Sequence, residues 1–191
     1  MELVYKQADS RVELEQILDL QDKNLPGCLS PNEKAAEGFV TVCHSLETLE
    51  HMNNVCGHII ALDGDILAGY ALCMHPDFAD RIPVLKPMFS QIHTVLPKTR
   101  RYLVMGQICI DKAYRQKGIF RELYSNMKHF SKDDFDYIIT EVDTKNTRSL
   151  GAHKAVGFRK LCAYSSGGQD WVVIFLPTTR TGASEMDISL I

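Results

Sequence analysis

The sequence predicts an α/β (α+β) fold, a mixed central β-sheet of about six to seven strands flanked by helices. Three observations carry that reading. The near-continuous apolar run Tyr102–Ile110 reads as a central strand covered on both faces. A helical pattern at Ile119–Ser131 and a further strand pattern at Tyr137–Val142 follow it, and a strand-helix-strand unit implies parallel pairing. Two glycine turns, Asp63-Gly64-Asp65 and Gly167-Gly168, each join a pair of short strand patterns into a hairpin.

Along the chain, Glu2–Gln7 reads as a first strand. Ser10-Arg11-Val12-Glu13 is a capping box that opens a helix with Leu14, Ile17 and Leu18 on one face. Ser30-Pro31-Asn32-Glu33 repeats the capping signature with proline at the first helical position, and Ser45–Asn53 offers another short helix. The first hairpin pairs His58–Leu62 with Ile66–Leu72. Residues 76–97, rich in proline, read as irregular. The helix at 119–131 places Leu123, Met127 and Phe130 on one side. Asn146–Val156 is helical and stops at Gly157, before strands at Phe158–Tyr164 and Trp171–Leu176. No repeat or linker divides the 191 residues, so the expectation is one domain over 1–177 with a tail at 178–191, where the strand pattern fades.

Composition excludes more than it assigns. With 45% hydrophobic and 24% charged residues, the chain falls outside the disordered, collagenous and membrane classes. A net charge of -3, with Lys and Arg spread along the chain, leaves no electrostatic footprint for nucleic acid. The N-terminus lacks the apolar core of a signal peptide and no apolar run approaches a membrane span, so no membrane association and a cytoplasmic location are expected. The six cysteines are far apart and without C-x-x-C spacing, which suits buried thiols in a reducing compartment. The histidines carry no metal-ligand spacing, so no metal is expected.

The sharpest chemical signal is Asp111–Arg121, between a buried strand and a helix. Such a junction exposes unpaired amides at a helix N-terminus, where the macrodipole also favours anions. Gly118 permits close backbone approach, and Arg115, Lys117 and Arg121 add positive charge, a set suited to a diphosphate. Neither a Walker loop nor a G-x-G-x-x-G fingerprint is present. Taken alone, the segment is equally consistent with an ordinary strand-to-helix turn carrying solvated basic residues.

Arg115-Gln116-Lys117-Gly118-Ile119-Phe120 resembles the motif [QR]-x-x-G-x-[GA] of the GNAT superfamily of N-acetyltransferases, departing at the last position, where Phe120 replaces a small residue. Glu141-Val142-Asp143-Thr144-Lys145-Asn146, followed by Ser149, His153, Gly157 and Phe158, resembles the family's next strand-plus-helix motif. As a whole-domain pattern the resemblance covers roughly residues 2–177.

The resemblance implies the GNAT fold and acetyl-CoA (coenzyme A) as co-substrate, with no metal. Its pantetheine arm would pair with Ile108, Cys109 and Ile110, its diphosphate would lie on the amides of Gln116, Lys117, Gly118, Ile119, Phe120 and Arg121, and Asn146 and Ser149 would contact it farther along. Glu141 stands where family members carry a proton-accepting carboxylate. The same residue could equally serve to bond backbone groups at a strand end. His153 stands where a Tyr often protonates the departing thiolate; the plain alternative is a helix histidine packed against the coenzyme or the sheet.

Cys109 lies in an apolar strand without a His and acid partner in motif spacing and reads as core rather than as a nucleophile. Tyr70, Met74, His75 and the region 78–93 are candidates for the acceptor pocket, with strand core an equal explanation of the first two. The implied activity is transfer of an acetyl group to a primary amine of a small molecule or peptide. The alternative is a coenzyme A-binding module that has lost catalysis, as the Phe120 and His153 departures would allow. A homodimer is left open.

Overall fold

The computed structural model describes residues 2–28, 40 and 42–179. In chain order these form β1 (Val4–Gln7), α1 (Arg11–Lys23), α2 (Leu46–Val55), β2 (Ile59–Asp63), β3 (Ile66–Met74), α3 (Lys86–Val95), β4 (Tyr102–Ile110), α4 (Ile119–Ser131), β5 (Tyr137–Asp143), α5 (Thr147–Val156), β6 (Arg159–Ser166) and β7 (Gln169–Pro177). The strands belong to one seven-stranded mixed sheet in the order β1-β2-β3-β4-β5-β7-β6. Two compact units share this chain, Met1–His75 with Met105–Met127, and Pro76–Val104 with Lys128–Ile191, so β4 and α4 each run from one unit into the other.

In the first unit, Ser10 accepts from the Glu13 amide while Glu13 accepts from the Ser10 amide, the capping box that starts α1. Leu14, Ile17 and Leu20 recur at helical spacing and are buried, and α1 packs on β3 and α2. Each such aliphatic side chain removed from water contributes about 1.5–3 kcal/mol. Gly64, at φ 60°, turns β2 into β3, and β2 pairs antiparallel with both β1 and β3. Ser45 caps α2, which runs two residues past the expected end at Asn53. Asn53 spends its carboxamide on the Ala8 carbonyl and the His58 amide, fixing the entry to β2.

In the second unit, β4 and β5 are parallel over Tyr102–Val104 and Tyr137–Ile139, and β7 pairs antiparallel with β5 and β6. Gly167 and Gly168, both at positive φ, form the β6–β7 turn. Tyr137, Ile138, Ile139, Val173 and Phe175 are fully buried.

Three expectations change. Residues 76–97 are not irregular: they form short 3-10 turns at Pro76–Arg81 and Pro83–Leu85, then α3. Pro87 sits in the first turn of that helix, where a missing N–H costs nothing, and Met88, Phe89 and Ile92 are buried along one face. Phe130 is 42% exposed although it keeps the helical spacing, three residues after Met127 and seven after Leu123; the buried stripe of α4 is Ile119, Leu123, Tyr124 and Met127, and Phe130 lies in the last turn of the helix. Thr178, expected to begin the tail, is buried and donates its hydroxyl to the Phe135 carbonyl. The capping signature at Ser30–Glu33 and residues 180–191 lie outside the described residues. Among the described residues no helix is long and apolar enough to cross a membrane.

Candidate active site

The first unit carries the strand-to-helix junction. Beyond Val104, β4 continues outside the β4–β5 ladder as Met105–Ile110. The Asp111 amide donates to the Ala68 carbonyl at 3.0 Å, and the Cys109 carbonyl lies so close to Gly69 that a Cβ there would meet it at 3.0 Å. Backbone groups alternate along a strand, so Cys109 addresses β3 while Ile108 and Ile110 present theirs to the opposite edge. Of the three residues expected to pair with a pantetheine arm, Ile108 and Ile110 therefore have the right direction and Cys109 does not. Burial pushes the Cys109 thiol up to about 12, which keeps it protonated and inert.

Asp111 accepts from the Ala113 amide and opens a 3-10 turn at Lys112–Tyr114. Gln116, at φ 62°, and Gly118, at φ 83°, then reverse the chain into α4. Among the described residues, the amides of Gln116, Lys117, Gly118 and Ile119 have no protein acceptor, while those of Arg121 and Glu122 both turn inward to the Gly118 carbonyl. Among the described residues outside its chain neighbours, nothing lies within 4 Å of where a Cβ of Gly118 would stand. A row of free donors, open space and a helix N-terminus is a fit for a phosphate group.

The basic side chains are less free than their charges suggest. The Arg115 guanidinium donates to the Ile110 carbonyl at 3.0 Å and to Asn24 Oδ1 at 2.9 Å. Lys117 donates to the Ala113 carbonyl and sits 5.0 Å from the centre of the Tyr114 ring. Both staple the loop, and Arg121 is exposed. Phe120, at the motif's small-residue position, sets its ring edge-on to Tyr124 with centroids 5.2 Å apart.

Sequence reasoning missed a buried polar network beside this strand. Gln107 Oε1 accepts from both Gln21 Nε2 at 2.8 Å and the Tyr70 hydroxyl at 2.5 Å, while Gln107 Nε2 donates to the Val42 carbonyl. Gln21 Oε1 in turn accepts from the His44 amide. An unbroken apolar run interrupted by one Gln, and a Gln on the core stripe of a helix, were the signals available. Tyr70 and Met74, candidates for an acceptor pocket, are fully buried, and Phe78, Met88, Phe89 and Ile92 of the 78–93 region are core as well.

The second unit carries the titratable groups. Glu141 on β5 is half-buried and its Oε2 accepts a short hydrogen bond from the Tyr164 hydroxyl on β6. Burial raises the Glu141 carboxyl to about 7, against the lowering effect of that hydrogen bond. Burial, then the carboxylate beside it, pushes the Tyr164 phenol well above its ordinary range. Tyr164 was not anticipated, because its pairing with Glu141 depends on strand order rather than on sequence spacing.

His153 is 2% exposed, with Nδ1 2.8 Å from the Ser149 carbonyl and its ring edge-on to Phe158 at 5.0 Å. Burial lowers it to about 4, so it is neutral at pH 7 and its one N–H is spent on Ser149. This geometry runs against the expectation that His153 protonates a thiolate and favours the packed-histidine alternative. Asn146 is the N-cap of α5, its Oδ1 accepting from the Ser149 amide at 3.0 Å, which leaves only its NH2 for a ligand. The Ser149 hydroxyl is 3.2 Å from His153 Nδ1. Among the described residues no group of three or more His, Cys, Asp or Glu side chains could hold a metal ion.

Comparison with solved structures places the fold. The chain is similar to a component of the NatC complex solved with Gag peptide and coenzyme A, at 20% identity and a TM-score of 0.65 over 94% of this chain and 100% of that one. It resembles the ribosomal-protein-S18-alanine N-acetyltransferase from Escherichia coli at 12% identity and a TM-score of 0.60, over 93% and 95% of the two chains. A protein from Salmonella typhimurium, yncA, solved with its cofactor acetyl-CoA, aligns at 12% identity and a TM-score of 0.62, over 94% and 95%. No curated protein matches the chain in sequence. The model of the acetyltransferase (GNAT) family matches residues 14–158, more than half of the chain, and the protein belongs to that family.

Proposed function

We propose that this protein is an N-acetyltransferase that moves an acetyl group from acetyl-CoA to a primary amine of a small molecule or peptide. The observation that carries the reading is the row of free amides from Gln116 to Ile119 at the start of α4, with open space at Gly118. Acetyl-CoA supplies an activated acetyl thioester. The chain's own parts divide by unit. In the first, the Gln116–Ile119 amides would hold the diphosphate, and the outward backbone groups of Ile108 would orient the pantetheine arm, the Ile110 carbonyl being taken by Arg115. Positioning of this kind can account for several kcal/mol of a barrier.

In the second, Glu141, held near pH 7, is suited to take the proton from an incoming ammonium group, because a base works best when its pKa lies near the working pH. Asn146 and Ser149 are assigned to the coenzyme by motif position, with Asn146 offering its NH2 and Ser149 its hydroxyl. The neutral, buried His153 is assigned to holding α5 rather than to proton transfer. The same histidine favours a second reading, a coenzyme-binding module without catalysis, since the usual proton donor of the family is replaced.

The test is calorimetric titration of acetyl-CoA and of coenzyme A into the protein, followed by thiol-release assays over small amines and peptides with free N-termini. Binding with turnover on any amine is the expected result. Binding without turnover would favour the second reading, and no binding would sink both.

A further inference from the structure

Glu141, Val173 and Cys162 stand opposite one another on β5, β7 and β6, and Asp143, Trp171 and Tyr164 form the next row but one. β7 lies between the other two strands, so a bond from Tyr164 to Glu141 crosses it diagonally, a span of about 10 Å between strand axes. The phenol and the carboxylate close that span by reaching toward each other over Val173, which is fully buried. Only one carboxylate oxygen is used: Oε2 accepts from Tyr164, while Oε1 has no hydrogen-bond partner among the described residues.

We propose that Tyr164 is a positioning residue for Glu141, its hydroxyl fixing the carboxylate so that Oε1 is presented to the acceptor amine and favouring the ionised, proton-accepting form. The inference rests on the reading of Glu141 as the base. An O–H donor to a carboxylate is among the stronger hydrogen bonds available, and it favours the charged form that a base requires. It also opposes the burial that would otherwise hold Glu141 protonated at neutral pH.

Other charged groups near the pair are accounted for. On β6, Cys162 is raised by burial and lowered by Lys160. On β5, Asp143 accepts from the Lys145 amide and from Gln169 Nε2, and on β7 Asp170 accepts from the Ser165 hydroxyl. The helix α3, packed on β6, carries Lys86, paired with Asp80, and His93, bonded to Tyr102. None of them donates to Glu141.

The experiment is a carbon-13 NMR titration of glutamate carboxyl groups from about pH 5 to about pH 9, in the full chain and in Tyr164→Phe, with Glu141→Gln identifying the resonance. The Glu141 midpoint is expected near 7 in the parent and roughly one pH unit higher in Tyr164→Phe. The acid limb of kcat/KM on any accepted amine should move by the same amount, a displacement that lost packing alone does not produce. An unchanged or lower midpoint in folded Tyr164→Phe would overturn the proposal.

Should Tyr164→Phe fail to fold, tyrosine labelled at Cζ supplies the test in the parent chain. One tyrosine resonance should inflect at the Glu141 midpoint and lose that inflection in Glu141→Gln; no such resonance overturns the proposal. Full turnover in Glu141→Gln with the midpoint shift intact would remove the base reading and the catalytic use of the pair with it. Slowed turnover in Glu141→Gln with no midpoint shift would remove Tyr164's part alone.

Discussion

The junction at Asp111–Arg121 and the strand pair that joins Glu141 to Tyr164 recruit different chemistry from the same sheet. At the junction the donors are backbone amides, and the prominent cations, Arg115 and Lys117, are spent on the Ile110 and Ala113 carbonyls. On β5 and β6 the groups that the proposal uses are side chains instead, one carboxylate and one phenol bonded to each other. If both proposals hold, the first region should depend on chain path more than on its basic side chains, whereas the second should depend on single atoms and on pH.

The sharpest way to break that comparison is Gly118→Asp. An L-residue at φ 83° is strained, and a carboxylate would face the bound diphosphate, so acetyl-CoA affinity should fall roughly 100-fold or more by calorimetry. Retained affinity would mean that the amide row is not the phosphate site. Next in size, Glu141→Gln should lower kcat/KM on the order of 100-fold while leaving the coenzyme Kd within about twofold. In the parent, activity should rise with pH through about 7, since the active form is the carboxylate, and the variant should lose that limb.

His153→Ala comes third and should act on stability. Loss of a buried ring and its bond to Ser149 should cost about 2–4 kcal/mol in denaturant unfolding, with the kinetic acid limb left in place. The two titrating groups also pull stability in opposite directions. Glu141, raised in the fold, holds its proton more tightly than in the unfolded chain, so its contribution is present at low pH and lost as pH rises through about 7. His153, lowered in the fold, contributes above its ordinary value of 6.5, and that contribution is lost as pH falls toward about 4. The smallest effect belongs to Gln116→Gly, which relieves a positive φ at the cost of chain entropy; a net change under about 1 kcal/mol with coenzyme affinity unaltered is expected.

Much of this arrangement is legible in the residue order. The run Tyr102–Ile110 and the helix Ile119–Ser131 fall at their expected limits, because apolar periodicity and the Gly118 break act locally. The capping box at Ser10 and the Gly157 stop, at φ 108°, are also local chemistry and form as read. The helix α3 was hidden because its prolines read as breakers, though one of them occupies the first turn, where proline is harmless. Phe130 was misplaced because spacing sets only the direction of a side chain, and burial is decided by what packs against it.

By itself, then, the sequence determined most of the elements, the parallel crossover and the place of the glycine-bearing strand-to-helix junction, since each follows from periodicity, caps and glycine within a few residues. Only the tertiary structure decided which groups are free to act. It assigned the Cys109 backbone to β3, spent Arg115 on Asn24 and Ile110, neutralised His153 by burial and brought Tyr164 across β7 to Glu141. Those outcomes depend on desolvation and on partners distant in the chain, and neither quantity is written in local residue order.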